Sequence, residues 1–401
     1  MCYLDRVREK NSTILFKKST LALFLVLPVI LAGMYFSYLL LYLLFGTIMI
    51  LMAGRVNITL AFAASIVVLG VPLTSDTLNY YNIYNGWYNL SSTQGIEPGY
   101  ILANEIYNSV DIDFSFFLLS CQFMITGVLI YACNVMKVRS RLLLFIVALT
   151  LVSPAFVLNT TLLLRSFIAV SFFILAIIFS ERRFLTTSLA SLSMLFHIYT
   201  FSLLPVLSRR FNLFIFKKWV IVTVLLLSIG QLIGGVFADI FYSSLLGVSF
   251  GSEQLARKLM LINEISSNVT SLMLIKPYMV LASILALDYR EIVNLTRIRL
   301  SLLSLFVISS SYSLILPYGE IFITRLGLLP YYLISIYCVF YISSFSMDTV
   351  RIKAISSLMV LYVMVMTIYS FIYNDFLNMS NRVLADGYYM VSGLAYYFLS
   401  L

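Results

Sequence analysis

Apolar blocks of roughly 15 to 25 residues, each near the length at which a helix crosses the hydrocarbon core of a bilayer, follow one another from end to end of this chain. Blocks of that kind can be buried in a large soluble core or in lipid. The chain has 401 residues, 61% of them hydrophobic and 11% charged, with a mean hydropathy of +1.00. A soluble protein of this size has neither the interior for so many apolar side chains nor so uncharged a surface. A transmembrane barrel would show short alternating strands, and these blocks are solid. The expected fold is all-α, a polytopic integral membrane helical bundle of about 12–13 transmembrane helices in one membrane domain, residues 1–401. Spans are expected at 20–32, 34–53, 56–72, 114–135, 142–160, 164–180, 184–197, 198–208, 219–238, 270–287, 299–316, 322–343 and 353–373. The stretch 386–401 is apolar but short, enough to span or to lie in the interface.

The polar clusters between the blocks set the orientation, because loops rich in Lys and Arg stay on the cytoplasmic side. With the N-terminus inside, 20 of the 26 Lys and Arg fall in the cytoplasm and 11 of the 17 acids outside. Residues 1–18 are then cytoplasmic, and the first apolar run is expected to be a retained anchor. The net charge of +9 comes from these clusters, so no nucleic-acid partner is expected. Cys2, Cys121, Cys133 and Cys338 lack metal or redox spacing and are expected to be buried apolar residues.

Two polar segments fall outside in this arrangement. The second, 239–269, carries Glu253, Arg257, Lys258 and Glu264. The first, 73–112, is the richer, with Asp76, Glu97, Glu105 and Asp111, six tyrosines and Trp87, and no Lys or Arg occurs between Arg55 and Lys137. Within it Pro98 suits the first turn of a helix reaching about Val110, with Ile101, Leu102 and Ile106 on one side, placed to lie along the membrane surface. Tyr80, Tyr81 and Tyr100 are either part of an interfacial aromatic belt or a platform on which sugar rings stack. Asp76 and Glu97 are either helix-end caps or carboxylates available for proton transfer. Asp111 and Asp113 look like a metal-binding Asp-x-Asp, but Asp113 directly precedes an apolar run and is better read as its N-cap.

Three further residues break the apolar pattern near the external side. Arg165 and Arg325 stand in apolar sequence, where a guanidinium costs about 2.5–3.5 kcal/mol to insert and therefore faces a wet cavity, an anion or a carboxylate such as Glu320, or snorkels to the headgroups. If both face one cavity, they form an anion site. His197 is the only histidine and lies at the external end of its helix, either as a packed, hydrogen-bonded side chain or as a proton acceptor or donor to a phosphate or sugar. No phosphate-binding Gly-rich loop, zinc pattern or nucleophile elbow occurs, so a reaction independent of metal, nucleotide and cofactor is expected.

In order along the chain, Ser75-Asp76 with Tyr80 and Tyr81, Glu97-Pro98-Gly99-Tyr100, Arg165-Ser166-Phe167-Ile168-Ala169, His197 and Arg325-Leu326 resemble the EpsG-like branch of the Wzy-type polysaccharide polymerases. Ser166 and Phe167 stand where that family often has Gln and Gly. The resemblance implies a bacterial cytoplasmic (inner) membrane protein that joins undecaprenyl-diphosphate-linked oligosaccharide repeat units on the outer face, moving the growing chain onto the incoming unit. It also implies a chain-length regulator and a flippase as pathway partners. Asp76, Glu97 and His197 would then be the catalytic candidates, and Arg165, Arg325, Tyr80, Tyr81 and Tyr100 would bind diphosphate and sugar. The rival classes are a transporter or flippase for a lipid-linked or anionic solute, which would also use spans and buried arginines, and a lipid-linked glycan ligase.

Overall fold

The computed structural model describes residues 64–65, 75–86, 97–218, 271–315 and 332–373. The segments 1–18, 20–32, 34–53, 219–238, 239–269 and 386–401, most of 56–72, and Arg325 lie outside the described residues.

Among the described residues the chain is all-helical, without a strand. The polar segment opens with α1 (Ser75–Tyr84) and continues with α2 (Pro98–Ser109). An apolar series follows: α3 (Phe114–Val135), α4 (Arg141–Val152), α5 (Pro154–Leu162), α6 (Leu164–Ile178) and α7 (Arg183–Phe196). After the 3-10 helix Ile198–Leu207 come α8 (Ser271–Leu285), α9 (Tyr289–Val293), α10 (Arg297–Ile315), α11 (Ile334–Ser344) and α12 (Val350–Tyr373). Among the described residues two helices, over Phe116–Val135 and Val350–Thr367, are long and apolar enough to cross a membrane, and several shorter apolar helices accompany them.

Helix α6 packs on both α3 and α7, and α8, α10 and α11 pack on one another. Helix α6 is the most enclosed, with Phe167, Ala169, Phe173, Ile174 and Ile177 all buried. Helix α12 instead leaves Leu358, Leu361 and Val365 exposed, as a helix facing lipid does. Cys121, Cys133 and Cys338 are buried free thiols, as their apolar settings require.

Two of the expected spans are interrupted. The block 142–160 breaks at Ser153, whose backbone is extended (φ −64°, ψ 140°) and whose hydroxyl accepts from the Phe156 amide at 3.3 Å while donating to Thr150 O at 2.8 Å. Pro154 is the first residue of α5, where its missing N–H leaves no carbonyl unsatisfied. The block 322–343 has a bend at Leu333 (φ −106°, ψ 19°), just before α11. Helix α1 is an addition to the expected loop. Between α2 and α3 the two acids shape a turn: Asp111 takes φ 52°, which Asp tolerates, and the Asp113 carbonyl accepts from Phe116 and Phe117 at 3.0 and 3.1 Å.

Arginines close one end of this bundle. Arg299 donates to Met136 O at 3.0 Å, just past the end of α3, Arg297 to Leu207 O at 2.9 Å and Arg209 to Val293 O at 3.1 Å. Each uses a charged donor on carbonyls at a helix C-terminus, which the helix dipole favours. Helix α3, at 22 residues about 33 Å long, separates this end from the one where Tyr84 donates to Ile112 O and Tyr80 to Leu162 O. The acidic and aromatic segment sits at that second end.

Candidate functional site

Glu97 is the N-cap residue of α2 (φ −66°, ψ 137°), followed by Pro98 in the first turn. Its backbone carbonyl accepts from Tyr100 and Ile101 at 3.1 and 3.3 Å, but its carboxylate makes no cap hydrogen bond. One carboxylate oxygen instead takes a charge-assisted bond from Nη1 of Arg165, and the other lies 3.8 Å from Nδ1 of His197. The Glu97 side chain therefore does not cap α2, and the carboxylate beside Arg165 is Glu97, while Glu320 lies outside the described residues. Glu97 is the carboxylate that this half-buried arginine needed.

Local breaks in the chain put the two partners there. Leu163 (φ −111°, ψ 36°) separates α5 from α6, so Arg165 falls on the first turn of a new helix. His197, fully extended (φ −160°, ψ 118°), lies between α7 and the 3-10 helix. Its carbonyl accepts from Thr200 Oγ1 at 2.9 Å, and its ring meets Tyr199 edge-on at 4.8 Å. Side chains of Glu97, Arg165 and His197 are 18%, 23% and 19% exposed, so water and solutes reach a site whose walls are largely protein.

Aromatic rings floor the pair. The Arg165 guanidinium stands 5.7 Å from the centre of the Tyr80 ring, a cation-π distance, and Tyr80 in turn contacts Tyr100 at 5.3 Å. Burial raises the Tyr100 hydroxyl well above the ordinary tyrosine range, with neighbouring Tyr80 adding to the shift, so Tyr100 is a neutral hydrogen-bonding group. Arg165 Nε is buried without a hydrogen-bond partner, leaving one donor of the fork open to an acceptor.

Helix α2 reaches this position because residue 99 is glycine. A Cβ there would come within 2.8 Å of Leu195 O and 2.9 Å of its carbonyl carbon, both backbone atoms of α7. Gly99→Ala is expected to push α2 off α7, lowering stability by about 1–3 kcal/mol and displacing Glu97 two residues away. Thermal melting of the purified variant, with activity measured alongside, checks this.

Of the residues expected to form a site, Glu97, Arg165, His197, Tyr80 and Tyr100 therefore come together. Tyr81 packs edge-on against Phe114 at 5.4 Å, in the aromatic group that also holds Tyr84 and Phe117. Asp76 is in the first turn of α1, four residues before Tyr80, and its side chain lies outside the described residues, as does all of Arg325. Asn104, buried one turn beyond Tyr100, is a polar neighbour that the sequence does not single out.

The model of the EpsG family matches residues 55–384. The chain belongs to the EpsG family. Every residue of the site falls inside the EpsG match, and the family together with the apolar helices makes this a membrane protein of polysaccharide biosynthesis. Comparisons with curated proteins and with solved structures returned no match.

Proposed function

We propose that this EpsG-family protein is a polysaccharide polymerase that joins undecaprenyl-diphosphate-linked repeat units on the outer face of the bacterial cytoplasmic membrane. The observation that carries this is the Glu97 carboxylate held between Arg165 and His197, over the rings of Tyr80 and Tyr100. A diphosphate leaving group needs a planar cationic fork, a sugar needs aromatic faces, and an attacking hydroxyl needs a base. All three are present in one place.

In the proposed reaction a hydroxyl of the incoming unit attacks the anomeric carbon of the growing chain. The new C–O bond forms as the bond to the diphosphate oxygen breaks, and the electron pair leaves with undecaprenyl diphosphate. Arg165 stabilises the charge that develops on that oxygen. The hydroxyl proton passes to Glu97, which the arriving diphosphate releases from Arg165 by competing for the same guanidinium. His197 stays beside the carboxylate to orient it and to hold phosphate or sugar. Asp76 and Arg325 complete the proposed site, Asp76 as the second candidate base and Arg325 as the second cation. The N-terminus is cytoplasmic in this arrangement, the helices form the polytopic bundle expected above, and a chain-length regulator and a flippase act in the same pathway.

Cells lacking the protein are expected to carry single repeat units in place of long surface polysaccharide, seen as collapse of the high-molecular-weight ladder on a gel. A ladder of normal length would exclude a polymerase.

A further inference from the structure

Tyr80 of α1 touches each element that carries the ion pair of Glu97 and Arg165. Its hydroxyl donates to the carbonyl of Leu162 at 3.3 Å, and Leu162 is the last residue of α5, where a carbonyl has no partner within its own helix. The break at Leu163 follows, and Arg165 stands in the first turn of α6 just beyond it. The Arg165 guanidinium lies over the Tyr80 ring, 5.7 Å from its centre. On α2 the same ring meets Tyr100 at 5.3 Å, one turn after Glu97. Helix α1 packs on α5 and α2 accordingly. The far end of α1 has attachments of its own, since Tyr84 donates to Ile112 O and Asn108 donates to Tyr84 O. Docking of α1 therefore does not depend on Tyr80 alone.

We infer that Tyr80 is a positioning residue for Arg165, which it holds in one orientation while the guanidinium passes from Glu97 to the leaving diphosphate. This inference rests on the polymerase function proposed above. In that reaction Arg165 gives up its ion pair with Glu97 as the diphosphate arrives. A long cationic side chain released from its carboxylate regains rotamers, and a fork that swings away no longer meets the charge developing on the leaving oxygen. A cation-π contact needs no such exchange. It holds the positive charge against the ring and uses none of the N–H donors, which stay available to phosphate oxygens. The bond from the Tyr80 hydroxyl to Leu162 O fixes the ring in turn, at the helix break that sets where Arg165 begins. A single side chain thus ties the orientation of the guanidinium to α5, to α6 and, through Tyr100, to the helix that carries Glu97.

The test is a double-mutant cycle on turnover by the purified full chain in proteoliposomes supplied with lipid-linked repeat units. Tyr80→Leu is expected to lose about 10²-fold in rate, the scale of a misplacement near 1 Å. Tyr80→Phe keeps the ring and lacks the hydroxyl, and is expected to lose less than about tenfold. Lysine at residue 165 lacks the fork that Tyr80 orients. Adding Tyr80→Leu to Arg165→Lys is therefore expected to cost no more than about threefold beyond Arg165→Lys alone. Losses that multiply overturn the positioning role and give Tyr80 a direct contact with the sugar instead. Wild-type turnover in Tyr80→Leu also overturns it, as does an equal loss in Tyr80→Phe and Tyr80→Leu, which leaves the ring no part. If Tyr80→Leu protein melts well below wild type, the cycle is run with Tyr80→Phe, where multiplied losses again overturn the role. Wild-type protein that forms no polymer overturns the polymerase function itself, whatever the variants do.

Discussion

Glu97→Gln protein is expected to accumulate to the wild-type level and to make almost no polymer. The amide keeps the shape of the carboxylate and can still accept from Arg165 through its oxygen, so α2 stays docked against α7 through Gly99. What is lost is the charge and the capacity to take a proton from the attacking hydroxyl. General-base catalysis supplies about 10²–10⁴-fold, so the rate falls by that factor while the lipid-linked substrate still binds. Chain-length analysis of surface polysaccharide, normalised to the amount of protein in the membrane, reads the result. Asp76→Asn, measured in parallel, tells whether the second external carboxylate contributes. Normal polymer from both neutral variants, with none from His197→Ala, would move the base to His197.

Arg165→Lys is expected to retain the fold and lose about 10²–10³-fold in rate, the usual consequence of removing one donor from a preorganised anion site. Lysine keeps the positive charge, so Glu97 retains a counterion and the two segments, 68 residues apart in sequence, can still be joined. It lacks the planar fork, including the Nε donor that stands open in this structure. The flat guanidinium face over Tyr80 is lost too, a contact of about 0.5–2 kcal/mol. Turnover at saturating substrate, with protein stability as the control, measures the effect. Wild-type turnover in Arg165→Lys would remove the diphosphate from this guanidinium.

Much of the fold was legible because it depends on local signals. The boundaries of α2 and α3 follow from Pro98 at a helix start and from Asp113 ahead of an unbroken apolar run. The break inside 142–160 also had its signal, since Ser153-Pro154 is an N-cap followed by a residue suited only to the first helical turn, but the apolar run on both sides concealed it. The bend at Leu333 follows Pro330 by three residues, a break signal that the apolar run around it concealed in the same way.

The site was legible in its members more than in their pairing. Arg165 stands out because a cation in apolar sequence demands a partner, and His197 because it is the only histidine. Nothing local says that Glu97 is that partner, because an acid before Pro98 is equally a helix cap; only the packing of α2 on α7 decides it. Asn104 was invisible for the same reason. On an amphipathic helix an asparagine reads as a surface residue, and its burial is a consequence of which face α2 turns inward.

The most direct measurement of the central claim is turnover by the purified full chain in proteoliposomes supplied with lipid-linked repeat units. The polymerase function predicts a ladder of products two, three and more units long, with one undecaprenyl diphosphate released for each new glycosidic bond, and no ladder from the Glu97→Gln protein. Repeat units that cross the bilayer unchanged, with no ladder and no released diphosphate, would contradict it and make the protein a transporter.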